Sequence, residues 1–147
     1  MTYYELVSLL ETMTNKDNIE EELSKIQNSV IDLPGLRYER FIDQVEYLLT
    51  RRLKNFMNNF TEKIYMKNLS DNEFILELSL LNNEIQNDNR IVNLNIIKEE
   101  NKKRLTESIN KNINEIIGQV KKIVDSEIQI SELEKYYRKE VDSNELQ

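Results

Sequence analysis

Cysteine and histidine are both missing from the 147-residue chain, and their absence removes most familiar side-chain chemistry. Disulfides and thiolate nucleophiles are excluded, as are Ser–His and Cys–His pairs and every ordinary zinc ligand set except carboxylates. A cysteine-free composition leans toward a reducing compartment, cytoplasmic or nuclear. Glycine occurs twice, at Gly35 and Gly118, and proline once, at Pro34. Two separated glycines cannot build a G-x-G-x-x-G turn or a phosphate loop ending in G-K-S/T. Strand-and-turn folds need glycine and proline at short intervals, so the predicted fold class is all-α. No apolar run approaches the roughly 18 residues of a bilayer span. The opening Met1-Thr2-Tyr3-Tyr4-Glu5 lacks the basic start and apolar core of a secretory signal. Alanine is absent too, although it is the best helix former. With Asn, Ile, Lys, Glu and Leu abundant, this reads as the bias of an AT-rich genome and not as a structural demand.

Charge is plentiful, at 32% of residues with a net −7, which repels nucleic acid and acidic membranes. It is unevenly spread. Residues 1–36 hold seven acids and two lysines, and residues 125–147 hold seven acids and three bases; residues 37–67 invert this, with seven bases and four acids. Such a segment is usually a solvated helix face. A direct nucleic-acid contact is not expected, and if one exists it belongs to this basic segment.

Apolar spacing predicts an elongated helical bundle. A first helix over 2–14 carries Tyr3, Leu6, Val7, Leu10 and Met13 on one stripe, with Thr2 as its cap. A second, with Ile19, Leu23, Ile26 and Val30 on one side, places Glu20, Glu21 and Glu22 at the positive end of its dipole. Leu33-Pro34-Gly35-Leu36 breaks the chain. A long central helix over 37–65 then bears Tyr38, Phe41, Ile42, Val45, Leu48, Leu49, Leu53, Phe56, Met57, Phe60 and Ile64. Next, Ser70 caps a helix, with Glu73 as capping-box partner and Leu69 stapled onto Phe74. Alternating Val92, Leu94 and Ile96 would fit a strand, but a lone strand has no partner, so helix is favoured over 91–97. Ile109, Ile113, Ile116, Val120 and Ile123, spaced 4, 3, 4 and 3, form a two-heptad, coiled-coil-like seam. Ser131 and Glu134 repeat the S-x-x-E pattern, and the acidic tail from Asp142 should fray. The chain divides into a bundle, 1–90, and a helical C-terminal extension, 91–147.

Carboxylate pairs such as Glu73 and Glu77 remain available for chemistry, but di-metal bundles need E-x-x-H as well. No catalytic, cofactor or metal residues are therefore assigned. Arg51 and Arg52 stand out beside the apolar stripe, where an arginine can pack its stem and bind a carboxylate in bidentate fashion. The partner is either internal, from Glu20–Glu22 or Glu77, or an acidic surface on another protein. The long helix offers more apolar surface than two short acidic helices can cover, and the late seam adds a second stripe. The expected interface is accordingly Tyr38, Phe41, Val45, Leu48, Leu49, Arg51, Arg52, Phe56 and Phe60, together with Ile109, Ile113, Ile116, Val120 and Ile123, in a homo- or hetero-oligomer.

The run Tyr4-Glu5-Leu6-Val7-Ser8-Leu9-Leu10-Glu11, the stretch Glu46-Tyr47-Leu48-Leu49-Thr50-Arg51-Arg52-Leu53-Lys54-Asn55-Phe56 and the start Leu69-Ser70-Asp71-Asn72-Glu73-Phe74 follow one another in a telling order. That order, from Tyr3 to Ile85, resembles the helical A domain of the GINS family, replication-helicase subunits of archaea and eukaryotes. The resemblance implies a non-catalytic subunit that packs its long helix against paralogous subunits. Residues 95–147 depart from the family, which usually adds a small β-rich B domain. A helical adaptor or scaffold of another complex, of kinetochore or tethering type, is the alternative.

Overall fold

A computed structural model describes residues 1–66 and 69–145, and the side chains of residues 1–66 and 69–123. Among the described residues there is no strand. The helices are α1 (Tyr3–Glu11), α2 (Ile19–Lys25), α3 (Gln27–Ile31), α4 (Gly35–Met66), α5 (Asp71–Asn89) and α6 (Glu99–Glu145), with a 3-10 turn at Arg90–Asn93. The chain forms two compact units, Met1–Asn112 and Ile113–Gln147. In the second, the described backbone is one stretch of α6, helical straight through Ser131. The S-x-x-E pattern there starts no new helix, and the backbone beyond Asp142 stays helical to Glu145.

Local signals place three of the helix starts in the first unit. Thr2 accepts the Glu5 N–H at 3.2 Å, and Ser70 accepts the Glu73 N–H at 3.3 Å, each satisfying a donor with no partner inside its helix. Glu73 does not close the capping box on the Ser70 backbone; its carboxylate accepts from the Ser70 hydroxyl at 3.1 Å instead. Phe74 rests near Phe60, with ring centroids 6.2 Å apart. At the central break, Pro34 supplies its carbonyl to the Tyr38 N–H at 2.8 Å, and α4 begins at Gly35. Gly35 keeps a negative φ, so the left-handed freedom of glycine is not used.

The single helix expected after Asn18 is two. The chain bends at Ile26 (φ −100°, ψ 8°), because α2 packs on α5 while α3 packs on α4. Leu23, Ile26 and Val30 all remain buried across the bend. α1 and α5 also pack against α4. The first turns of α6 run beside α4 in the same direction, through Arg104 to Asp43 (3.0 Å), Ser108 to Glu46 (2.8 Å) and Asn112 to Thr50 (3.1 Å).

The segment 91–97 is neither strand nor regular helix. After the 3-10 turn it runs irregularly to α6, with Ile91, Val92, Ile96 and Ile97 all buried. Buried irregular backbone must find hydrogen-bond partners elsewhere. Tyr38 provides them: its hydroxyl donates to the Ile96 carbonyl and accepts the Lys98 N–H, both at 2.8 Å.

Candidate functional site

The least ordinary chemistry in the first unit lies where α4, α5 and the α1–α2 loop meet. Arg52 follows Leu48 and Leu49 by one turn on the stripe that turns α4 inward, and Asp88 follows Leu81 and Ile85 on the inner stripe of α5. Both side chains are buried, Arg52 to 2% exposure. The guanidinium grips the carboxylate with two bonds, Nε to Oδ2 at 2.8 Å and Nη2 to Oδ1 at 3.1 Å. Its remaining nitrogen, Nη1, donates to the carbonyls of Met13 and Lys16, both at 2.7 Å, and of Thr14 at 3.2 Å. Phe56 flanks the group, its ring centroid 5.2 Å from the guanidinium carbon. Arg52 thereby ties three segments together.

Burial pushes the Asp88 carboxyl above its ordinary range, against the opposing pull of the Arg52 hydrogen bonds and charge. Beside the pair opens a polar cleft of about 460 Å³, lined by Lys16, Asp17, Asn55, Asn59, Glu84 and Asn87 among others. Glu84 sits on its exposed rim. Partial burial of its carboxylate raises its pKa, Lys63 opposes the rise, and Asp88 adds to it. A carboxyl held above its ordinary value penalises the folded state once ionised, and the penalty disappears when both states are protonated. Glu84→Gln should therefore raise the melting temperature slightly at neutral pH. The gain should fade as the pH falls below the ordinary carboxylate range; a gain that persists in acid would assign it to some other cause.

This arrangement is a structural clamp. Each guanidinium nitrogen of its arginine has a partner, its acid is paired, and no cluster of three or more acidic side chains suited to a metal occurs among the described residues. No family model, curated protein or solved structure matches the chain.

The structure buries most of the residues expected at an interface. Tyr38, Phe41, Val45, Leu48, Leu49 and Phe60 are each no more than 3% exposed within the folded chain. α1, α3 and α5 all pack against α4, and that cover was underestimated from sequence. Arg52 faces inward, and its partner is Asp88, not Glu20–Glu22 or Glu77; Glu77 pairs with Lys63 at 3.2 Å. Arg51 is half-buried, its guanidinium carbon 5.1 Å from the exposed Tyr47 ring. Its Nε is buried with no hydrogen-bond partner among the described residues. Phe56, Ile113 and Val120 are half-buried, whereas Ile109, Ile116 and Ile123 are buried.

Apolar side chains that stay open include Leu36, Tyr65 and Met66 toward the two ends of α4, and a group on α5. α5 sends Leu81 and Ile85 into the core, yet on its outer side Ile75, Leu76 and Leu80 remain 60%, 58% and 42% exposed. The sequence signal was available: apolar residues run round most of the circumference of α5, and one face of a packed helix accounts for only part of them.

Proposed function

We propose that the chain is a non-catalytic helical subunit of a multiprotein assembly, docking on its partner through the outer face of α5. One observation carries this reading: three large aliphatic side chains are exposed on a helix whose opposite side already serves the core. Grouped apolar exposure of that kind on a third-charged chain favours a protein contact. On this reading α4 is the central post of an elongated bundle, and the later part of α6 works as a coiled-coil-type helix. A GINS-type replication-helicase assembly, in the cytoplasm or nucleus, is the first to test, on the strength of the sequence resemblance.

The basic segment favours protein over nucleic acid as the partner. Arg52 is held by Asp88 and Lys63 by Glu77, and Arg37 and Arg51 lie against the rings of Tyr3 and Tyr47. No helix among the described residues is long and apolar enough to cross a membrane. The test is affinity capture of the tagged chain from its native cells with mass spectrometry, run beside Leu76→Glu. Helicase or other complex subunits should come with the unsubstituted chain and be lost with the variant. Identical sets of proteins from both chains would remove α5 as the docking face.

A further inference from the structure

The acids and bases of α4 are sorted onto different sides of the helix. Glu39, Asp43 and Glu46 gather round Arg104 of α6, at 3.9, 3.0 and 3.9 Å. Arg52 is sealed on Asp88, and Lys63 is held by Glu77. On the outer side Arg40, Gln44, Tyr47, Arg51, Lys54 and Asn58 recur at spacings of 4, 3, 4, 3 and 4. Arg51 is half-buried, and the other five are exposed. None of the three bases is in an ion pair among the described residues. Acids do border the row. Asp43 flanks it on one side, occupied by Arg104, and Glu11 of α1 flanks it on the other; Glu62 follows one turn after Asn58.

Neighbouring like charges such as Arg51 and Lys54 weaken a helix instead of supporting it. An acidic counterpart from outside removes that cost. Arg51 has hydrogen-bonding capacity to spare, because its Nε is buried without a partner among the described residues. A recess of about 210 Å³ opens beside it between α1 and α4, lined also by Leu10, Glu11, Gln44, Tyr47 and Leu48. A carboxylate is a strong, bidentate acceptor for a guanidinium fork, and spacings of 4 and 3 are those of one helix laid along another. From Arg40 to Asn58 the row measures about 27 Å at 1.5 Å per residue, or about five turns of an occupant helix. A nucleic-acid duplex fits the row less well. It carries one negative charge per about 1.7 Å of axis over a broad surface, so many of its phosphates would meet the acids on either side.

We propose that the outer face of α4 binds an acidic helix of a partner protein, whose Glu or Asp side chains meet Arg40, Arg51 and Lys54. This contact is separate from that of α5 and does not depend on it. Fluorescence anisotropy with the full chain tests it. The probe is a labelled helical peptide of about five turns with glutamates spaced 4 and 3 apart. Beside it run the same peptide with glutamine at those places and a labelled DNA duplex of the same length. The glutamate peptide should bind, more weakly as the ionic strength rises from about 0.01 to about 1 M, and the glutamine peptide should not. Arg40→Gln and Lys54→Gln should each weaken binding up to about fivefold, as removal of an exposed ion pair does, and Glu11→Gln should strengthen it. Arg40→Glu with Lys54→Glu should abolish binding, with the circular dichroism unchanged. Lys121→Glu with Lys122→Glu, at two exposed lysines of α6, changes the net charge equally and should leave most of the binding in place. No binding of the glutamate peptide, or equal losses in the two double variants, would overturn the proposal. Tighter binding of the duplex through Arg40 and Lys54 would overturn it in favour of nucleic acid. Leu76→Glu should bind the peptide as the unsubstituted chain does; a loss there would move the acidic helix to α5.

Discussion

Arg52→Met should cost the protein roughly 3–5 kcal/mol at neutral pH, the usual consequence of removing one partner from a buried ion pair. The methionine would fill much of the space but leave Asp88 buried without its counter-charge and three loop carbonyls without their shared donor. Asp88 already lies above its ordinary range through burial, and losing Arg52 would raise it further. In the variant the native state would hold a proton that the unfolded chain has released. The loss should therefore be greatest at neutral pH and shrink as the pH falls through the raised pKa toward the ordinary carboxylate value. Arg52→Lys should rescue little, since a compact ammonium cannot span a carboxylate and a row of carbonyls as the planar fork does. Urea denaturation at several pH values checks both statements. A loss no larger than that of Arg40→Met, an exposed arginine on the same helix, would mean that the clamp holds nothing.

Leu48→Asp together with Leu49→Asp should abolish the cooperative folding transition altogether. The two leucines are 1% and 2% exposed, and each substitution would strand a carboxylate without a partner among apolar side chains. That costs several kcal/mol per site against a total stability of about 5–15 kcal/mol for a typical domain. Leu76→Glu makes a comparable change at a site 58% exposed, and it should leave the thermal transition in place. Thermal scans by circular dichroism compare the two directly. A folded double variant would mean that Leu48 and Leu49 belong to an outer surface after all.

What could be read in the sequence was what depends on neighbours along the chain. The Thr2 and Ser70 caps are local hydrogen bonds to the residue three places on, and the stripe from Tyr38 to Ile64 is helical periodicity. Each is fixed by a single turn of backbone, whatever lies across from it. The all-α class followed from the same local physics and from the scarcity of glycine and proline.

Periodicity states that a helix face is covered, and it is silent on what covers it. For that reason Phe41, Val45 and Leu49 read as an interface, although this chain's own helices enclose them. The same blindness hid Asp88, which stands between Asn87 and Asn89 at the end of α5. An acid in step with Leu81 and Ile85, and a base in step with Leu48 and Leu49, were in retrospect two halves of one buried pair. Their separation of 36 residues put the match beyond any local pattern. Tyr38 makes the same point across about 60 residues: its ring was legible as part of the apolar stripe of the long helix, but the use of its hydroxyl was not. The irregular backbone at Ile96 and Lys98 that it satisfies takes shape only once α4 and α6 lie side by side. Sequence by itself determined the all-α class, the Thr2 and Ser70 caps and the long inward stripe of α4, because those energies are settled within a few residues. Tertiary structure alone decided which stripes face each other, which charges are sealed between them and which face of α5 is left to water, because those depend on the packing of residues far apart in the chain.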